Sequence, residues 1–350
     1  NNDGEVGWLG FFGQLEYGTE NFDAFVSSSL QKTSYQRIEY FLYDLSTEDG
    51  KDLATSEKIK LDGYSIKGGA NYRLDDVQNV FANIGYFERP AAFNAVFNGY
   101  NNTKINRDAE NEKVFSMELG YGLRGEKFAA NVNVYRTQWN DRTFTRNIRA
   151  TEPGAEDYTA NLLGVNALHQ GIEFDFTYKP SNNLNFSGML SLGDWKWDNN
   201  LDDVPLFDEN QEPLVDADEV PITLSLPIKG LKVSNAAQTT AALGMLYKFW
   251  DRTSITVDYN YFANLYARID VLDYANAAEA PTDSYKVPSY STVDASLRHS
   301  FKFGNFDTTV TARVNNLLDT EYIADAQNAS DPLVFFGFGR TFSLSAKIKF

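Results

Sequence analysis

Four stretches of the 350-residue sequence carry side chains able to bind a ligand. Between Asp198 and Glu219 lie nine acidic residues, Asp198, Asp202, Asp203, Asp208, Glu209, Glu212, Asp216, Asp218 and Glu219, with no Lys or Arg among them. Carboxylate oxygens are hard ligands, so such a run can hold Ca²⁺ or dock a cationic ligand. The spacing does not fit an EF-hand loop, Pro205 and Pro213 break it up, and the plainer reading is a loop kept in solution by charge. Trp195 and Trp197, two apart, share one face of a strand, where they can stack on a sugar or chelate ring or form part of an aromatic belt. Arg136, Arg142, Arg146 and Arg149, interleaved with Trp139 and Phe144, suit an anionic chelate or lipid phosphates, with a plain surface role as the alternative. Phe93, Phe97 and Tyr100, set among Asn residues between 91 and 105, offer adaptable ligand contact or ordinary loop packing.

Enzyme chemistry finds little material. His169 and His299 are far apart in sequence with no third ligand evident, and no Ser/His/Asp order, Gly-rich phosphate loop or HExxH is present. Cys is absent, which removes disulfides, thiolate metal sites and thiol nucleophiles while leaving the compartment open. A net charge of −17 argues against a nucleic-acid partner, because phosphate binding needs a basic surface. The expectation is a protein that is not an enzyme and carries no cofactor.

What positions these residues is a period of two. In the last stretch Phe342, Leu344, Ala346, Ile348 and Phe350 alternate with Ser343, Ser345, Lys347 and Lys349, so one strand face is greasy and the other polar. The same grammar recurs backwards. Leu9 to Tyr17, Phe22 to Val26, Tyr64 to Tyr72, Val80 to Tyr86, Phe115 to Leu123 and Phe128 to Val134 all alternate. So do Ile172 to Tyr178, Leu184 to Leu190, Ala241 to Phe249, Ile255 to Tyr261, Val293 to Leu297 and Phe306 to Val314. With the terminal strand this makes about thirteen. Polar faces carry Glu118, Arg124, Glu173, Asp175, Asp294 and Arg298.

Connections alternate as strictly as side chains. Short turns near 18, 75, 125, 181, 251 and 304 trade places with long polar stretches near 43–58, 91–111, 147–165, 199–229, 269–288 and 318–335. Short turns at one end and long loops at the other describe a transmembrane antiparallel up-and-down β-barrel rather than a soluble sandwich. No apolar run reaches the eighteen residues of a membrane-spanning helix, and a mean hydropathy of −0.41 suits strands that are half polar. First and thirteenth strands run the same way, so an antiparallel barrel needs more of them. Asn1 then falls in an extracellular loop; Asn1 to Glu5 has neither the basic nor the apolar segment of a leader, so either a leader was removed or, as is expected here, the chain begins partway through a larger protein.

Arg313-Val314-Asn315-Asn316-Leu317-Leu318-Asp319-Thr320-Glu321-Tyr322-Ile323 resembles the NLxDxxY segment near the end of TonB-dependent outer-membrane receptors, and Gly337 to Leu344 resembles their final strand. Lys67 to Tyr72 and Asn111 to Gly122 are similar to barrel strands of that family as it occurs in Bacteroidetes-type bacteria. The resemblance implies that residues 1–350 are the C-terminal part of a 22-stranded outer-membrane barrel, about 13 strands of it, lacking its N-terminal plug. It also implies import of a scarce nutrient, an iron chelate, cobalamin or glycan, driven through the TonB complex that contacts the missing plug. Lipopolysaccharide and outer-membrane lipid are expected neighbours. The barrel-assembly machinery would read Phe342, Leu344, Ile348 and Phe350 as its signal. Trp195, Trp197, Arg142, Arg146, Phe97 and Tyr100 are the ligand-contact candidates. A passive porin-like channel and a surface or soluble all-β binding protein are the alternatives.

Overall fold

Residues with period-two patterning form strands longer than the pattern alone marks. The computed structural model describes residues 2–97, 99, 101–148, 158–208, 211–268, 274–275, 283–327 and 332–349, without the side chains of 146 and 147. The strands are β1 (Asn2–Gly18), β2 (Phe22–Glu39), β3 (Ile59–Arg73), β4 (Gln78–Arg89), β5 (Glu112–Arg124), β6 (Phe128–Ile148), β7 (Tyr158–Ser181), β8 (Leu184–Trp197), β9 (Leu201–Phe207) and β10 (Thr223–Leu226). There follow β11 (Thr239–Trp250), β12 (Thr253–Ala263), β13 (Leu265–Tyr266), β14 (Lys286–Val287), β15 (Tyr290–Phe303), β16 (Phe306–Asn315), β17 (Ile323–Gln327), β18 (Leu333–Phe336) and β19 (Thr341–Lys349). Two short helices, α1 (Glu48–Ala54) and α2 (Phe93–Val96), sit in long connections. Among the described residues, no helix is long and apolar enough to cross a membrane.

One antiparallel meander carries the architecture, in the order β1-β2-β3-β4-β5-β6-β7-β8-β11-β12-β15-β16-β19. Those are the thirteen strands that alternation marks out. The shorter pairs, β9 with β10, β13 with β14 and β17 with β18, belong to the long-loop end. Tight turns close the other end. Thr19 accepts from Phe22 N–H at 3.1 Å, Asp75 accepts from Val77 and Gln78 N–H at 2.9 and 2.7 Å, and Arg252 and Gly304 take the positive φ that two-residue hairpins need.

Register joins the apolar face into unbroken rows. One runs Tyr17–Ala24–Ala70–Ala82–Leu119–Val134–Ile172–Leu192 across eight strands. Another runs Tyr178–Phe186–Met245–Val257–Ala295–Val314–Phe342 across seven. These side chains stay open to the outside: Leu15 is 75%, Leu119 58% and Leu344 77% exposed. A water-soluble sheet would cover such a surface, whereas hydrocarbon covers it in a membrane barrel. The row Ile84–Met117–Arg136–Gln170–Asp194 starts apolar and ends charged, since tilted strands carry each hydrogen-bonded row upward. Arg136, Gln170 and Asp194 therefore mark the upper edge of the lipid-facing band on β6, β7 and β8.

Beyond that edge the strands outrun the expectation. A membrane crossing needs about 9–11 tilted residues, yet β7 has 24 and β6 has 21. The polar stretch expected over 147–165 is strand at both ends, because register shifts between Trp139 and Phe144 break the alternation that marks a strand in sequence. Opposite the apolar rows, the inner wall is a polar ladder. Glu118 accepts from Asn83 and Asn133 at 3.2 and 3.0 Å, Glu173 from Asn133 at 3.2 Å, and Asp175 from Asn131 at 3.0 Å.

Candidate functional site

On β6, β7 and β8 the inner face above the lipid band is aromatic. Strand parity puts Tyr135, Trp139, His169, Trp195 and Trp197 on the same face as Glu173 and Ser191, so both tryptophans point into the lumen and the reading of them as an outer girdle is corrected. Trp195 donates from Nε1 to the Tyr135 hydroxyl at 2.9 Å, and the His169 ring stacks on it at 5.2 Å and 27°. Trp139 lies 6.1 Å from His169, and Phe144 meets Trp197 edge-on at 6.0 Å. Trp250 is exposed at the short turn between β11 and β12.

Arg142 closes the top of this wall. Its guanidinium lies 4.9 Å from the Phe144 ring centre, 5.5 Å from Trp139 and 5.9 Å from Trp197, and its Nε pairs with Glu112 at 3.1 Å. Glu112, only 9% exposed, also receives Arg89. A cation enclosed by π faces gains about 2 kcal/mol when desolvated. Burial pulls the Arg142 pKa below its ordinary value, Glu112 opposes that and Arg89 adds to it. Burial, helped by Arg142, pushes His169 down to about 4, so its ring is neutral at physiological pH. Among the described residues, the buried Trp139 Nε1, Trp197 Nε1 and His169 Nε2 have no hydrogen-bond partner. Beside the wall lies a cavity of about 430 Å³, bordered by Tyr35, Arg89, Glu112, Asp141, Arg142 and Phe144.

The basic-aromatic stretch does not act as one surface. Arg136 shares the outer face of Val134, while Arg142 turns inward after the bulge. Arg146 is in β6 opposite Ala160, and its side chain, like all of Arg149, lies outside the described residues. Phe97 is buried to 5% exposure against Tyr35, with Arg37 at 5.1 Å over its ring, so it anchors a loop rather than meeting a ligand. Tyr100 and Phe350 lie outside the described residues. Phe342, Leu344 and Ile348 project from the outer face of β19. His299 is on that outer face of β15, bonded to Thr253 at 2.8 Å and remote from His169.

The acidic stretch folds around an eight-residue repeat that charge alone conceals. Val204-Pro205-Leu206-Phe207-Asp208 returns as Glu212-Pro213-Leu214-Val215-Asp216 and begins again at Val220-Pro221-Ile222. Backbone N–H groups of Leu206, Leu214 and Ile222 donate to the carbonyls of Ile222, Leu206 and Leu214, so the three copies wrap on one another. Asp208 and Asp216 each cap a turn, accepting from Glu212 and Val220 N–H at 2.7 and 3.0 Å, and Gln211 and Glu219 take positive φ. Glu212 reaches Lys104 at 2.5 Å, tying this arm to the 90–111 loop. Among the described residues, no three His, Asp or Glu side chains converge on a metal position. Prolines at 205, 213 and 221 are the signal that reveals the repeat.

The NLxDxxY residues have structural work. Asn316, at φ 49°, donates to the carbonyls of Thr320 and Phe338 at 2.9 and 3.3 Å, and Asp319 accepts from Arg340 N–H at 2.7 Å. Together they tie the end of β16 to the start of β19. Tyr322 stacks on Tyr290 at 4.2 Å and fills the space a Cβ would need at Gly337.

A sheet with lipid outside, a polar ladder inside and an aromatic mouth defines a transmembrane receptor barrel. The family model described as "TonB dependent receptor-like, beta-barrel" matches residues 1–317, and the chain belongs to that family of outer-membrane proteins of Gram-negative bacteria. No curated protein matches the sequence. Among solved structures, the copper transporter OprC superposes with a TM-score of 0.67 at 17% identity, over 98% of this chain and 49% of that one. The siderophore receptor PiuA from Acinetobacter baumannii gives 0.66 at 16%, over 99% and 43%. The ferric yersiniabactin uptake receptor FyuA from Yersinia pestis gives 0.65 at 16%, over 100% and 46%. The chain thus spans about half the length of these structures. Its family and fold are those of receptors and transporters rather than enzymes.

Proposed function

We propose that this chain is the C-terminal barrel portion of a receptor that captures a scarce nutrient at its extracellular mouth and imports it with energy delivered through TonB. The observation that carries this reading is the lumen-facing wall of Trp139, Arg142, Phe144, His169, Trp195 and Trp197 beside a cavity of about 430 Å³. Flat π faces and one enclosed cation suit an iron chelate, cobalamin or a glycan, each of which has planar or ring surfaces.

The rest of the receptor is inferred from what is unpaired. Among the described residues β1 bonds only β2 and β19 only β16, and both run toward the short turns, so closure requires an odd number of further strands between them. Glu118, Glu173 and Asp175 have amide or hydroxyl partners but no Lys or Arg among the described residues. A plug domain that fills the lumen supplies the cations facing them, and through it the barrel answers to TonB. The outer surface of β19 serves the barrel-assembly machinery, with Phe342, Leu344 and Ile348 as the residues read. Uptake of iron chelates, cobalamin and glycans by cells producing the whole receptor tests the reading. One of these should be taken up, uptake should stop when the proton gradient is collapsed, and W195A/W197A should weaken binding tenfold or more. Uptake indifferent to the gradient would instead support a passive channel.

A further inference from the structure

The lumen wall contains a slot that register builds. Trp139, Ala167 and Trp197 are direct partners in one row across β6, β7 and β8, all on the inner face. Neighbouring strands are about 4.8 Å apart, so the two tryptophans rise about 10 Å from each other. Ala167, 1% exposed, is too short to fill the space between them. Phe144, brought inward past the bulge, meets Trp197 edge-on and closes a third side. The Arg142 guanidinium occupies this slot, 4.9 Å from the Phe144 ring centre, 5.5 Å from Trp139 and 5.9 Å from Trp197.

Three π faces converging on one point hold a cation, and they hold a ligand's cation by the same attraction. Arg142 stands between the slot and the cavity: Arg142 and Phe144 border the cavity, and Trp139 and Trp197 lie behind the guanidinium. Its head also has another berth. The side chain is anchored at Nε, 3.1 Å from Glu112, and Glu110 and Asp141 border the same cavity. An anionic ligand has less to gain here. Arg89 and Arg142 already share Glu112, and Lys113 pairs with Asp141 at 2.8 Å and with Glu110 at 3.2 Å. We infer that Arg142 is the resident occupant of an aromatic cage whose ligand is an organic cation, a quaternary ammonium group carried by the imported nutrient. The incoming cation takes the three rings, and the guanidinium swings about its Nε anchor toward the carboxylates. The inference rests on the reading of this wall as a ligand site and sharpens it to the charge of the group bound.

The test is choline binding to the whole receptor in lipid nanodiscs, read by calorimetry and tryptophan fluorescence. The comparison probe is 3,3-dimethylbutan-1-ol, which has the shape of choline without its charge. Wild type should bind choline at least tenfold more tightly than the alcohol. R142A, which empties the slot, should bind choline at least tenfold more tightly than wild type does and gain nothing for the alcohol. A side chain that only held the fold would weaken both probes when removed. The triple variant W139L/R142A/W197L should lose the gain. Heat-modifiable gel mobility identifies folded samples, and the wild-type comparison stands even if R142A does not fold. Equal binding of the two probes by wild type, R142A no tighter for choline than wild type, or a gain that survives loss of both tryptophans would overturn the cage. Binding is read without an energy source, so the two readings fail separately. Gradient-driven uptake with no preference for choline would strike the cage alone, and choline held in the cage with no uptake of any nutrient would strike the import reading alone.

Discussion

Glu112 is the residue on which the Arg142 enclosure depends, and E112Q separates its charge from its shape. The carboxylate is 9% exposed and pairs with Arg142, 27% exposed, and with Arg89, 68% exposed. Breaking a fully buried ion pair costs about 3–5 kcal/mol, and a single charged hydrogen bond about 1.5–3 kcal/mol. Arg89 can turn to water, so its share is small; Arg142 cannot leave the Trp139, Phe144 and Trp197 rings without losing their contacts. The expected loss is about 2 kcal/mol, local to β5 and β6, or about thirtyfold in the opening equilibrium. Hydrogen exchange of residues 112–114 and 140–144 in the reconstituted receptor measures it, with the lower ends of the same strands as internal reference. In a double-mutant cycle, E112Q and R142M should couple by 1 kcal/mol or more. Additivity within about 0.3–0.5 kcal/mol, or protection lost evenly along both strands, would refute the reasoning.

Other outcomes follow from the same geometry. V132R places a charge among lipid-facing neighbours and should destabilise the barrel by about 2–4 kcal/mol in denaturant unfolding from vesicles, whereas N133R on the lumen wall should cost much less. G337A meets the Tyr322 ring and should lower the yield of folded barrel, read as heat-modifiable gel mobility, with Y322A/G337A restoring part of it. His169 has a folded pKa of about 4, below its ordinary 6.5, so the neutral ring is what folding favours. Its contribution is complete above about pH 6.5 and shrinks as pH falls toward 4, and H169Q should flatten that part of the stability profile measured by thermal unfolding.

The barrel was legible because lipid imposes a rule on every second residue, and the thirteen strands of the meander are those that alternation identifies. Strand ends were not legible. Above the lipid band both faces of β6 and β7 meet water or protein, so Trp139 to Ile148 and Tyr158 to Gln170 carry no strict period. The site was half legible. Side-chain type marked Trp195, Trp197 and Arg142, but which face each occupies depends on unbroken parity in β8 and on a bulge in β6. His169 joins the wall only because Thr137 and Trp195 flank it in register, a pairing between residues distant in sequence. The repeat at Pro205, Pro213 and Pro221 was readable and was masked by its acidic residues.

Spin labels placed one at a time from Phe128 to Arg136, in the receptor reconstituted into bilayers, address the lipid-facing sheet most directly. Accessibility to oxygen, which concentrates in hydrocarbon, should peak at 130, 132 and 134 and fall at 131, 133 and 135, with position 136 open to a water-soluble nickel chelate. A profile without that two-residue period, or one in which 130, 132 and 134 are reached by the nickel chelate but not by oxygen, would contradict it.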